Sequence, residues 1–235
     1  MSSSAAPRVL LSSGALVRNA RALLAAGGIA DLRHDAYGHG LTGAARIVMD
    51  AGATGVLVDG RDEVARLAQF GITARVDVGD DTDPHRLWGI PSTAGAAGAA
   101  SDPTEPVMCL QGRVLSTKPL HAGEAVSYGY THRAERDTRV ALVTGGYAQG
   151  ILRALGNRAS VDIAGRLRPI VGRIAMDVCV VDLEGDDVPV GTAVTFFGGT
   201  GEVRHALTHW SAVSGLTALE LAVVIGRHGH REWIA

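Results

Sequence analysis

The chain has 235 residues, 46% hydrophobic and 20% charged, with a formal net charge of -2. This is globular composition, and it lacks the basic footprint that nucleic-acid binding needs. No apolar run approaches the roughly 20 residues of a membrane span, and the N-terminus lacks the charged and apolar regions of a secretion signal.

The first third alternates strand and helix signals. Residues 8–11 (RVLL) form a short apolar run. Residues 12–28 place Leu16, Ala20, Leu23 and Leu24 at helical spacing, with Ser12 or Ser13 as cap and Gly27-Gly28 as stop. Residues 29–32 read as a strand, 42–53 as a helix capped by Thr42, and 54–59 as a buried strand. Residues 60–71 read as a helix with acids in its first turn, and 72–79 as a further strand. This rhythm implies parallel strands with crossover helices. Residues 80–105, rich in Gly, Ala, Ser, Asp and Pro, read as a linker.

From residue 106 the signal is mainly β. Strands are expected over 107–118, 124–133, 138–146 and 191–199, and two or three over 159–183, bent at Gly165 and Gly172. Residues 205–226 read as helical pieces, and 226–233 as a polar surface tail. The expected domains are 1–79 (α/β, with an N-terminal strand), a linker over 80–105, and a β-rich domain over 106–235.

Few chemical motifs stand out. Cys109 and Cys179 lie in apolar runs and read as buried thiols, which fits a reducing, cytoplasmic setting. His205 and His209 have metal-ligand spacing on a helix but no third partner, so a solvated face is expected. Lys+Arg total 22, yet the only lysine is Lys118. It reads as a solvated turn residue.

The stretch DAYGHG (35–40), continuing through GAARIVMDAGATGVLVDGRDEVARLAQFGI, resembles the start of the PLP-dependent alanine racemases. AGEAVSYG (122–129), GYAQG (146–150), PIVGRIAMD (169–177) and GTAVTFFG (191–198) are similar to that family's C-terminal domain, in the expected order. The resemblance implies a (βα)8 barrel joined to a β domain. It also implies a cofactor lysine two residues before DAYGHG, and a tyrosine from a partner subunit on the opposite substrate face. By the same resemblance Tyr128 matches the catalytic tyrosine and Tyr147 a tyrosine lining the substrate approach. Met176 matches a residue binding the substrate carboxylate, Asp177 follows it, and Tyr37 matches a phosphate-site tyrosine.

Three departures follow. Arg33 occupies the lysine position, and a guanidinium cannot be deprotonated in a protein. The barrel-like region ends near residue 79, whereas such barrels take about 250 residues. Leu219, in ALE (218–220), stands where the family has a phosphate-binding tyrosine. The expected fold is therefore a partial (βα) barrel of three to four parallel strands joined to an alanine-racemase-type C-terminal β domain. The expected function is a racemase-like protein without racemase activity, with Tyr128, Tyr147, Met176 and Asp177 vestigial. The alternative is a weakly active racemase, or one holding PLP non-covalently. No cofactor is expected, PLP being held at most non-covalently. A homodimer is expected, because a partial barrel leaves strand edges to cover by pairing or by a folded-back linker. The glycine loop before the helix could take a small anion or amino acid.

Overall fold

The computed structural model describes residues 6–24, 27–77, 82–92 and 104–235. In chain order the elements are β1 (Arg8–Ser12), α1 (Ser13–Leu23), β2 (Ile29–Asp31), α2 (Leu41–Asp50), β3 (Gly55–Leu57) and α3 (Arg61–Ala68). There follow β4 (Ala74–Arg75), α4 (Pro84–Trp88), β5 (Met108–Leu120), β6 (Ala125–Val126), β7 (His132–Arg133), β8 (Thr138–Thr144) and β9 (Ser160–Ile163). The rest are β10 (Arg166–Val171), β11 (Val178–Asp182), β12 (Ala193–Phe197), α5 (Ala206–Ser214), α6 (Ala218–His228) and β13 (His230–Ile234). Among the described residues no single helix is long and apolar enough to cross a membrane.

Two compact units result. One centres on Cys109–Leu216. The other joins Leu10–Met108 to Thr217–Arg227 and Arg231–Ala235, so the end of the chain belongs with the α/β part. The segment 80–105 read as a linker holds α4, and its residues 80–81 and 93–103 lie outside the described residues.

In the β unit, six antiparallel strands close a ring: β5–β8–β11–β10–β9–β12, with β12 returning to β5. Closure leaves these strands without a free edge. Alternation drives it, since every second residue of Met108–Val114 and of Ser160–Ile163 faces inward. Phe196, Phe197 and Trp210 are buried in this unit, with Phe197 of β12 and Trp210 of α5 edge to face at 5.5 Å. Lys118 is not in a turn: it lies on β5, in register with Val140, with its side chain exposed. The run 124–133 is not one strand. It breaks into β6 and β7 around a tight turn at Tyr128–Tyr130, where Ser127 (φ 67°), Gly129 (φ 75°) and Tyr130 (φ 48°) leave β geometry.

The α/β unit has a three-stranded parallel sheet, β2–β3–β4. The expected partial barrel is therefore seen only as this small sheet. Thr82 covers the open side of β2: its N–H donates to the Ile29 carbonyl (3.0 Å) and its Oγ1 accepts from the Asp31 N–H (3.2 Å). Ser12 caps α1, accepting from the Ala15 N–H. Thr42 does not cap α2: Gly40 is the cap residue, and the Asp35 carboxylate accepts from the Leu41 N–H (2.8 Å).

The segment 226–233 is not a free tail. Within it α6 ends and β13 begins, and Arg231 donates to the Gly38 carbonyl (3.2 Å) and pairs with Asp35. Helix α6 meets the 38–40 loop backbone to backbone. A Cβ on Gly226 would lie 2.0 Å from the Gly38 oxygen, and one on Gly38 2.6 Å from the Ala222 oxygen. Nearby, His39 is fully buried and stacks on Trp88 at 4.1 Å and 17°. Its Nδ1–H donates to the carbonyls of Ala36 (2.9 Å) and Tyr37 (3.1 Å), while its Nε2 is buried without a partner.

Two predictions follow from this packing. Gly226→Ala leaves helix propensity improved but forces backbone apart, so it should destabilise the chain by about 1–3 kcal/mol; thermal melting reads the loss. Burial pushes His39 down to about 4, outweighing the upward pull of the Ala36 and Tyr37 carbonyls. Protonation then favours the unfolded chain, where imidazole titrates near about 6.5. Stability should be complete above that value and fall by about 3 kcal/mol as pH drops toward 4. Urea unfolding across this window should show the slope in the native chain and lose it in His39→Gln.

Candidate functional site

The stretch Asp31–Gly40 builds the site around a buried carboxylate. Asp31 ends β2 and is 1% exposed. An unpaired carboxylate there would be costly, so its partners dictate the local chain. Arg33 donates from Nε to Oδ1 (3.0 Å) and from a terminal nitrogen to Oδ2 (2.6 Å). The Arg33 N–H adds a third bond to Oδ1 (3.1 Å), and the Tyr37 hydroxyl donates to Oδ2 (2.8 Å). Burial pushes the Asp31 carboxyl up, but these donors together bring it below its usual range. Hydrogen bonding to Asp31 raises Arg33 further above its already high value, and burial with the Asp31 bond raises the Tyr37 hydroxyl. At neutral pH the group is carboxylate, guanidinium and neutral phenol.

Between these anchors the backbone turns left-handed. His34, Asp35, Ala36 and Tyr37 have φ of 57°, 56°, 56° and 49°, and Gly38 follows at 83°. Such a turn costs roughly 1–2 kcal/mol per non-glycine residue, so it stands only where its surroundings over-determine it. Asp59 accepts from the His34 N–H (2.6 Å), Asp35 is held by Leu41 and Arg231, and His39 holds the carbonyls of Ala36 and Tyr37.

The other predicted residues lie in the β unit. Tyr128 starts the turn after β6 and is 72% exposed. Ser127 sets its position: the Ser127 hydroxyl donates to the Arg173 carbonyl (2.5 Å), against Gly172, where a Cβ would strike the Ser127 side chain. Tyr147, Met176 and Asp177 come together through backbone. The Tyr147 N–H donates to the Ala175 carbonyl (3.0 Å), and the Ala148 N–H to the Met176 carbonyl (2.9 Å). Gly146 permits this approach, since its Cβ would lie 2.2 Å from the Met176 oxygen. The Gln149 amide donates to Asp177, and the Arg153 guanidinium lies 5.1 Å over the Tyr147 ring.

Thus Arg33 and Tyr37 share one cluster, and Tyr147, Met176 and Asp177 another. Sequence reasoning missed Asp31, Asp59 and Arg231. An acid inside the apolar run IADL was the available signal for Asp31; Arg231 had none, lying 193 residues beyond Gly38. Among the described residues no group of His, Cys, Asp and Glu is arranged to hold a metal ion. His209 instead bonds the Arg158 carbonyl (2.7 Å). Both cysteines are free, and burial pushes Cys109 up to about 11 and Cys179 up to about 12, so neither is a ready thiolate.

For a cofactor attached through an amine, position 33 does not fit. Its guanidinium offers no free amine, and both of its donor edges toward Asp31 are engaged.

Comparison with known proteins gives the family. The model of the alanine racemase C-terminal domain matches residues 107–233. The alanine racemase of Mycobacterium avium is 43% identical over 118 residues, 49% of this chain and 30% of the relative. That of Chlorobaculum tepidum is 38% identical over 136 residues, 57% of this chain and 35% of the relative. The chain thus spans about a third of the length of these curated relatives. The solved alanine racemase of Streptomyces lavendulae superposes with a TM-score of 0.85 at 19% identity, covering 100% of this chain and 98% of that one. That of Bacillus anthracis, with bound L-Ala-P, gives 0.83 at 19%, covering 100% and 96%. At such identity these two show the fold. The family match corrects the expectation of no cofactor, with PLP held at most non-covalently: alanine racemases are PLP-dependent. The matched domain covers more than half of the sequence, and the chain belongs to the alanine racemase family.

Proposed function

We propose that this chain does not itself interconvert L- and D-alanine, and that the DLRHDAYGHG stretch serves as a structural latch. The observation that carries this is the two-pronged grip of Arg33 on buried Asp31, with Tyr37 on the same carboxylate. The family reaction needs a base that gives and takes a proton at the substrate Cα. Arg33 keeps its proton throughout the working pH range and is held further from losing it by Asp31. Tyr37, whose family counterpart serves the cofactor phosphate, directs its hydroxyl at Asp31 instead.

The remaining role is binding or assembly. Tyr128, Tyr130 and Met176 are 72%, 71% and 54% exposed on the β unit. Exposed large apolar groups of this kind mark contact surfaces, and a homodimer through this face is the form we assign to the chain.

The test is direct. Purified chain supplied with PLP and L-alanine should give no D-alanine in an oxidase-coupled assay; turnover above the protein-free control overturns the reading. Arg33→Leu leaves Asp31 short of its strongest partner and should destabilise by about 3–5 kcal/mol. Arg33→Lys should recover part of that loss, since lysine makes one point contact where arginine makes two. If Arg33→Leu melts like the native chain, the latch is wrong even where the assay is negative.

A further inference from the structure

His39 is a buried titratable group with only one of its two ring nitrogens in use. Its ring is fully buried against the Trp88 indole of α4. Its Nδ1 faces two carbonyls, those of Ala36 and Tyr37. A carbonyl only accepts, so Nδ1 carries the hydrogen and the free lone pair is on Nε2. The next proton must therefore go to Nε2, which is buried and has no partner. The orphaned ring nitrogen of its stacking neighbour, Trp88 Nε1, is donor-only and cannot accept from it. Around the ring, α4 presents the uncharged Trp88, the coil presents Asp35, and the chain end presents Arg231. Arg231 repels a second cation, and the Asp35 carboxylate is already held by Arg231 and the Leu41 N–H. A proton on Nε2 is thus a buried charge with neither an acceptor nor a free counter-ion. Such a charge is expelled rather than kept.

What leaves with the ring follows from its contacts. His39 ties down the carbonyls of Ala36 and Tyr37, two residues held at positive φ. The coil they belong to is the seat of α6, which meets it at Gly38 and Gly226 with no room for a methyl group. A contact that close between two backbones does not survive a shift of the coil. Once undocked, α6 is a helix of 11 residues. Isolated helices shorter than about 12–15 residues are marginal in water, so the coil and the helix open together.

We propose that His39 is an acid-operated release: protonation at Nε2 frees the 34–40 coil and undocks α6 while α1 of the same unit stays folded. This rests on the reading of DLRHDAYGHG as a latch and adds its trigger. The two fail separately, since Arg33→Leu is read at neutral pH and His39 acts only in acid.

The experiment is amide hydrogen exchange on the full chain between pH 7.5 and 5.0, corrected for the intrinsic pH dependence of exchange. The closed chain holds His39 at about 4, against about 6.5 when the ring is free. Opening is therefore unchanged above pH 7 and rises as pH falls, about thirtyfold by pH 5.0. Protection of the Gly38, His39 and Gly40 amides and of the Leu221–Gly226 amides should drop together by that factor. At pH 5.0 the α1 amides should stay at least roughly tenfold better protected than those of α6, the mark of a local opening. His39→Gln, which carries no proton to gain, should abolish the drop at both places; should that variant not fold, the native profile decides alone. The proposal is overturned if α6 keeps its protection while the coil loses it, or if neither changes with pH. It is equally overturned if α1 and α6 are equally protected at pH 5.0, since the whole unit then unfolds at once, or if a folded His39→Gln chain still shows the drop.

Discussion

The Asp31 carboxylate is the constraint on which the α/β unit turns. A charge removed from water must be paired or neutralised, and losing one partner of a buried pair typically costs about 3–5 kcal/mol. Asp31 meets the requirement with donors that all lie within six residues along the chain: the Arg33 side chain, the Arg33 N–H and the Tyr37 hydroxyl. To bring Tyr37 back to Asp31 in so few residues, the backbone coils left-handed from His34 to Tyr37. The strain of that coil and the pairing of the carboxylate are one bargain. Neither is stable alone, and the bonds from Asp59, Asp35 and His39 hold the coil from its other sides.

The coil in turn places Gly38 where helix α6 can rest on it. Gly38 and Gly226 approach closely enough that a methyl group on either would strike backbone. Arg231, just past that helix, closes the contact on Asp35 and the Gly38 carbonyl. The loop therefore organises the unit from both directions: it answers to the sheet through Asp31 and to the chain end through Gly38. These contacts give Gly38 and Tyr37 of the stretch a packing role in the unit.

What was legible in the sequence follows from the range of the forces involved. Alternation and helical spacing act over a few residues, so β8, β10, α1 and α3 were readable, as was the Ser12 cap. The closed six-stranded ring was not, because its register joins strands as distant as β5 and β12. The left-handed coil escaped for a different reason. Ala36 and Tyr37 have no preference for positive φ, and only the Asp31 network puts them there. Lys118 was misplaced because STKPL carries a proline and polar residues, which read as a turn; in the fold, β5 runs through them as far as Leu120. The motif residues Tyr128, Tyr147 and Met176 were legible only by resemblance. Their settings, a tight turn at Ser127 and a glycine-permitted backbone contact at Gly146, depend on tertiary contacts.

The family relationship and the Arg33 latch are compatible because fold and chemistry make different demands on one residue. The fold asks position 33 for a long cationic side chain that can reach Asp31, and arginine answers this better than lysine, with two parallel bonds in place of one. Proton transfer asks for a group that can lose its charge, and arginine cannot. On the proposed reading, arginine at position 33 therefore serves the loop and not proton transfer. That asymmetry is how, on the proposed reading, the backbone of DLRHDAYGHG, with its strained coil and its seat for α6, is held by a guanidinium that cannot serve as a base.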